Sequence, residues 1–366
     1  MRKIELTISP DYVPTWTVAD AIRELFQNAI DQQTQNPDNK MSFWYSDDTE
    51  TITISNKSSE LTEKTLLLGS TTKNGDEDTI GQFGEGYKIA TLVLLRNNKT
   101  IVFYNNKSNE IWRPRLVDSR RFGSKILTFF IEKNAGNIIH NNNDDTLVIK
   151  VGNISNHEYD NEIIPTNLHL KEYSVFESTI YGDILNNEKG RVYVDGLYVC
   201  TYDEYEYGYD FKPKYIKLDR DRKMASDFDL RWLASRMWSV STHQEAALEL
   251  VMDNAADISY CSLINSSNSS LLGLSYDKFI EKYGRNAVPV TTQVEMDAVP
   301  AGYHGVVIGD KWMEMIMNSG MYAPPKTDHT DPLDELDAWF DDINTKLEDS
   351  ECTRFKEIFQ RLKDKE

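Results

Sequence analysis

The sequence predicts an α+β protein: a layered domain with helices on one face of a mixed sheet, a second α/β unit, and a small αβ and helical C-terminal region. Three observations carry this. Apolar residues recur at helical spacing over 18–33 and again behind a glycine cluster at 81–86, and short runs between 42 and 151 alternate as strands do. The length, 366 residues, accommodates two domains or three small pieces. Hydrophobic residues at 40% and charged residues at 27% are consistent with a sizeable core rather than a disordered chain.

Taken in order, Lys3-Ile4-Glu5-Leu6-Thr7-Ile8 alternates as a strand and is broken by Pro10 and Pro14. A helix over 18–33 follows, with Thr17 as N-cap and Asp20 as its acidic capping partner. Strands at 42–45 and 51–54 flank the turn Ser46-Asp47-Asp48. Residues 55–80 read as polar loop apart from 66–68, and the glycine cluster then opens an apolar helix over 87–95. Strands at 100–104, 125–131 and 146–151 complete a first domain assigned to 1–155. A second domain, 156–263, holds a strand at 191–199, the charge-dense run Lys217-Leu218-Asp219-Arg220-Asp221-Arg222-Lys223 and a helix over 227–256. Residues 264–270, INSSNSS, read as a linker. A small αβ domain is assigned to 271–323, with helices at 276–283 and 311–317 and strands at 287–291 and 305–308. In the acidic tail, 324–366, Leu333, Leu336, Phe340, Ile343 and Leu347 recur at near-heptad spacing, to pack on the body or form a homo-oligomer contact.

The net charge of −19 argues against general nucleic-acid binding, which relies on Lys and Arg to displace counterions. It leaves the acidic exterior for an unidentified protein partner. Cys200, Cys261 and Cys352 lie far apart without a CxxC, and the six histidines show no metal-ligand spacing, so no zinc site is expected. With no apolar leader and no run of 18 apolar residues, the expectation is a cytoplasmic chain without a membrane span.

The first helix carries the chemistry. At about 100° per residue, Glu24, Asn28 and Asp31 share one narrow polar stripe. Ala21, Ile22, Leu25, Phe26, Ala29 and Ile30 occupy the opposite arc, suited to packing on a sheet. Such a helix either lines a cavity with its polar stripe or exposes it to solvent. The order Gly81-x-x-Gly84-x-Gly86 matches neither the dinucleotide fingerprint nor a Walker loop, yet glycines before a helix start let backbone approach a phosphate.

Together these motifs resemble a known family. Glu24-Leu25-Phe26-Gln27-Asn28-Ala29-Ile30-Asp31 is similar to the E-L-x-x-N-A-x-D box of the GHKL ATPases. Leu68-Gly69-Ser70-Thr71-Thr72-Lys73, followed by Ile80-Gly81-Gln82-Phe83-Gly84-Glu85-Gly86, resembles the lid and second glycine box of that superfamily, nearest its Hsp90 branch. The resemblance covers roughly residues 1–150. It implies a Bergerat-type α/β sandwich, a transducer-like second domain, and ATP and Mg²⁺ as cofactors. Glu24 would be the general base, Asn28 the Mg²⁺ ligand, and Asp31 a group orienting water or nucleotide. Gly81, Gln82, Phe83, Gly84, Glu85 and Gly86 would contact phosphate, and Gly69, Ser70, Thr71 and Lys73 would form the lid. Arg220 and Arg222 would present a cation from the second domain to the γ-phosphate.

One box departs. Where the family has D-x-G-x-G after the second strand, this chain reads Ile54-Ser55-Asn56-Lys57-Ser58-Ser59. Aligned with Ser55 in place of the Asp and Lys57 and Ser59 in place of the glycines, Ser55 and Asn56 would line a weakened base pocket. The second half also looks like phage-encoded GHKL proteins of the rapid-lysis exclusion-protector group. Two functions follow as expectations: slow Mg²⁺-dependent ATP hydrolysis coupled to domain movement, or a non-catalytic GHKL-fold scaffold that has lost nucleotide binding. No His-bearing dimerisation helix precedes the first motif and the length leaves no room for a DNA-cleaving apparatus, so neither a sensor kinase nor a topoisomerase is expected.

Overall fold

Thr17 caps the first helix, α1 (Val18–Gln35), through a reciprocal capping box. Its side chain accepts from Asp20 N at 3.2 Å, while the Asp20 carboxylate accepts from Thr17 N at 2.8 Å. The computed structural model describes residues 1–66, 86–134, 145–216, 218, 226–260 and 269–325, with 333, 336, 339–340, 343 and 346–363 in the C-terminal region. These fall into two compact units, Met1–Leu271 and Leu272–Glu366.

In the first unit, seven of the described strands form one sheet, with every pairing antiparallel and the order β1-β6-β5-β4-β7-β3-β2. The strands are β1 (Arg2–Glu5), β2 (Met41–Ser46), β3 (Thr51–Lys57), β4 (Thr100–Asn105), β5 (Glu110–Ser119), β6 (Ser124–Lys133) and β7 (Asp145–Gly152). The helix behind the glycine cluster is α2 (Gly86–Arg96). Ala21, Ile22, Leu25 and Ala29 of α1 join Ala90, Leu92 and Val93 of α2 over Ile52, Ile54, Phe103 and Phe129 in one buried core. Both helices therefore cover the same sheet face, as the sequence patterns predict.

Strand β5 was absent from the sequence expectation because Pro114 stands in it. Only Glu110, Ile111 and Trp112 pair with β4, whereas β6 pairs along the whole strand, so Pro114 falls where one side carries no ladder.

The second sheet has the order β11-β10-β12-β9-β8, from β8 (Val175–Ser178), β9 (Gly182–Leu185), β10 (Arg191–Val194), β11 (Leu197–Thr201) and β12 (Gly208–Phe211). The single strand expected over 191–199 is a hairpin. Asp195 and Gly196 both take positive φ, 50° and 76°, the left-handed pair a two-residue turn requires. The helix expected over 227–256 is also two, α3 (Asp227–Ser239) and α4 (Gln244–Met252). Between them the Glu177 carboxylate takes hydrogen bonds from Ser241 Oγ, Thr242 N and Thr242 Oγ1, which holds the chain out of helical geometry. Tyr205 and Tyr209 are core residues. Tyr209 Oη donates to the buried Asp257 carboxylate at 2.6 Å and accepts from Trp238 Nε1 at 2.7 Å.

The second unit contains most of α5 (Ser269–Tyr283), a parallel pair β13 (Ala287–Val290) and β14 (His304–Val307), the short α6 (Gln293–Asp297), α7 (Asp310–Asn318) and α8 (Asp349–Lys363). Phe279, Trp312, Met315 and Ile316 are buried within it, and Phe355 stacks on Phe340 at 3.9 Å. Of the expected linker, residues 264–268 lie outside the described residues, and Ser269 and Ser270 begin α5. No helix among the described residues is long and apolar enough to cross a membrane.

Candidate functional site

α1 supplies Glu24 and Asn28 one turn apart, as their spacing dictates. Asn28 Nδ2 donates to Glu24 Oε1 at 3.2 Å and to the Glu24 carbonyl at 2.7 Å. Glu24 itself is 0% exposed, so its carboxylate depends wholly on protein donors and whatever enters the cleft. With its nitrogen engaged by Glu24, Asn28 has Oδ1 as the atom it can offer a hard cation.

The last glycine of the cluster meets this pair directly. A Cβ built on Gly86 would lie 1.5 Å from Glu24 Oε1 and 2.4 Å from Glu24 Cδ. Gly86 is thus required by close approach rather than by backbone angle, and it places the first turn of α2 against the carboxylate. Helix N-terminal N–H groups favour an anion. A carboxylate held by Asn28 and meeting the start of α2 offers residue types that fit a metal-bound phosphate.

Behind Gly86, Lys88 is fully buried, which sequence reading overlooked. Its signal was available: a cation two residues after the last glycine, at the head of the otherwise apolar Ile89-Ala90-Thr91-Leu92-Val93-Leu94. A buried ammonium is retained only where negative charge meets it.

The base box lies on β3 and the turn after it. Strand alternation sets Ile52, Ile54 and Asn56 toward the helices and Thr53 and Ser55 toward the opposite face. Asn56 Nδ2 donates to Ala29 O at 2.9 Å and to Asn39 O at 3.0 Å, tying β3 to α1 and leaving Oδ1 as its acceptor. The residue that adopts the left-handed backbone suited to glycine is Ser58, at φ 54°, not Lys57 or Ser59. Ser58 stands two places after Asn56.

Asp31 is buried too, and its charge reaches Asp195 at the β10–β11 turn. Burial raises the pKa of Asp195, His169 opposes the shift and Asp31 adds to it. Next to it, burial pushes Asp210 up to about 7 although Gly196 N donates to its Oδ1 at 2.8 Å. Gly69, Ser70, Thr71, Lys73, Gly81, Gln82, Phe83, Gly84, Glu85, Arg220 and Arg222 lie outside the described residues. Of the charge-dense run, Leu218 is described, and it lines a small cavity with Arg23 and Gln27 of α1.

Comparison with known proteins gives the following. Residues 157–236 match the family model described as the Mycoplasma pneumoniae MPN635 N-terminal domain. An uncharacterized protein of Mycoplasma pneumoniae is 27% identical over 237 residues, covering 62% of this chain and 92% of that protein. Among solved structures, the ATPase and transducer domains of Balamuthia mandrillaris DNA topoisomerase II align at a TM-score of 0.31 and 13% identity, over 50% of this chain and 60% of that one. The ATPase region of Saccharomyces cerevisiae topoisomerase II bound to ICRF-187 aligns at 0.25 and 13%, over 41% and 44%. The same yeast region in a further structure aligns at 0.30 and 10%, over 54% and 69%.

Proposed function

We propose that this chain binds a Mg²⁺–nucleoside triphosphate, with ATP the expected nucleotide, where α1 faces the start of α2, and hydrolyses it slowly to drive a conformational change. The contact of Gly86 with Glu24 carries the reading, because it joins the two motifs that resemble the GHKL boxes at one point in space. Glu24 would take the proton of the attacking water, and Asn28 Oδ1 would hold the metal. Bound Mg²⁺ would neutralise charge developing on the phosphates. Lys88 would add a cation on the α2 side. Asn56 Oδ1, rather than Ser55, would accept from an exocyclic amino group of the base, and a neutral amide gives a weaker bond there than a carboxylate. The roles of the lid residues Gly69 to Lys73, of Gly81 to Glu85, and of Arg220 and Arg222 rest on the sequence resemblance alone, as do the Hsp90-like branch and the phage-encoded group, and a cytoplasmic location rests on the apolar patterning of the sequence.

Titration calorimetry with ATP, ADP and GTP in Mg²⁺, followed by phosphate release from wild type and Glu24→Ala, tests this. ATP should bind to both proteins, and the variant should lose about 10²–10⁴-fold in release. No heat and no release under any condition would sink the proposal. A second reading, a GHKL-fold scaffold without catalysis, is favoured by a base box, Ile54 to Ser59, that holds no glycine. Its signature is binding without release, indifferent to Glu24→Ala.

A further inference from the structure

α1 has three working faces. Ile22, Leu25 and Ala29 are sealed against the first sheet, and Glu24, bonded by Asn28, faces Gly86. The third face, carrying Arg23, Phe26, Gln27 and Ile30, meets the second sheet. Arg23 is 4% exposed; its Nη1 donates to the Tyr198 carbonyl of β11 at 2.6 Å and its Nη2 lies 3.7 Å from Asp20. Phe26 stacks on His169 at 5.6 Å and shares a small apolar cluster with Ile30 and Leu197. Beside Arg23, a cavity opens between Gln27 and Val194, Tyr198, Val199 and Leu218. Gln27 is 2% exposed, and its Nε2 has no hydrogen-bond partner among the described residues.

The two sides of α1 thus differ in kind. Contact with the first sheet is dry and fully packed, and would be lost only on unfolding. Contact with the second sheet adds to the Phe26, Ile30 and Leu197 cluster a guanidinium, one backbone carbonyl, a small void and an amide nitrogen with no partner among the described residues. Such a joint can exchange one arrangement for another at low cost, because its present one leaves a polar group unpaired. Arg23 is the sequence neighbour of Glu24, and Gln27 of Asn28. Each joint residue is thus linked to a site residue through a single peptide of one hydrogen-bonded helix.

Resting on the nucleotide reading above, we propose that Arg23 and Gln27 are positioning residues through which the second sheet sets Glu24 and Asn28 for hydrolysis. They touch no substrate and act through their neighbours. In the full chain, Arg23→Met keeps the buried stem and removes the bond to Tyr198, and Gln27→Leu fills the void without a polar atom. Both should bind Mg²⁺-ATP within about threefold of wild type, with KM unchanged and kcat lowered at least about tenfold. The response of β11 amide hydrogen exchange to a non-hydrolysable triphosphate, present in wild type, should vanish in both. Gln27→Leu should melt no lower than wild type, so it reports even if Arg23→Met does not fold. Wild-type kcat in Gln27→Leu, or equal losses of affinity and kcat, overturns the joint while the nucleotide reading stands. Absence of binding in wild type overturns both, and the wild-type titration alone identifies that case.

Discussion

Gly86→Ala puts a methyl group 1.5 Å from Glu24 Oε1, 2.4 Å from Cδ and 3.0 Å from Cγ. Ordinary contact starts near 3.4 Å, so the carboxylate and the start of α2 must part by about 1.9 Å. Two responses are open. The carboxylate swings away, breaking its 3.2 Å bond with Asn28, or the helices separate and open a core that is otherwise closed. The first leaves buried polar groups unpaired, at about 1–3 kcal/mol. Either one displaces the proposed base by more than the roughly 1 Å that can reduce turnover about 10²-fold. Phosphate release should therefore fall about 100-fold while Mg²⁺-ATP affinity falls less. Chemical denaturation supplies a check independent of activity. Removing the Glu24 side chain makes room for the methyl, so Gly86→Ala should cost about 1–3 kcal/mol in wild type and close to nothing in Glu24→Ala. Equal costs in the two backgrounds would refute the contact.

Further outcomes follow from other residues. Asp210 titrates at about 7 when folded against 3.8 for a free carboxyl, so between these values the native state holds a proton that the unfolded chain has released. Its contribution, about 4 kcal/mol, is complete below pH about 4 and disappears as pH rises through about 7. Denaturation midpoints for Asp210→Asn should lack that decline, and an identical profile would show that Asp210 is not its source. Ser58→Gly should stabilise by about 0.5–1 kcal/mol, because glycine relieves the left-handed backbone there; destabilisation in urea would count against that backbone conformation. Thr17→Ala, which removes one half of the capping box, should cost about 1 kcal/mol in the same assay. Arg96→Lys should be distinctly destabilising. The guanidinium donates to the carbonyls of Pro10, Tyr12, Val13, Pro14 and Trp16, and a lysine cannot span that set; unchanged thermal unfolding would contradict this.

The first domain was legible wherever one face of an element is buried, since periodicity then records the packing. The apolar arc of α1 follows that rule, although its polar residues Arg23, Glu24, Gln27 and Asp31 are buried as well. β5 escaped because Pro114 is admissible only once its neighbours are known. The hairpin at Asp195-Gly196 and the break between α3 and α4 escaped for different reasons. The turn's two residues interrupt an apolar run too briefly to alter its period. The break depends on Glu177, more than sixty residues upstream. At the site, Glu24 and Asn28 could be read from spacing on one helix. The burial of Lys88 and the approach of Gly86 to Glu24 could not, because both depend on how α2 packs beside α1.

The Asp195-Gly196 turn bears on how the molecule ages. In an Asp-Gly sequence, the glycine nitrogen can attack the preceding carboxyl and close a succinimide, which reopens mostly as isoaspartate. The chain cannot readily exchange this glycine, since a Cβ there would fall 2.5 Å from His169 Nε2. In the fold, that nitrogen is held by the Asp210 carboxylate, and the turn angles are fixed by the hairpin. The same hydrogen bond that completes the turn therefore slows its chemical decay, and isoaspartate at position 195 should accumulate mainly in molecules that have first lost their structure.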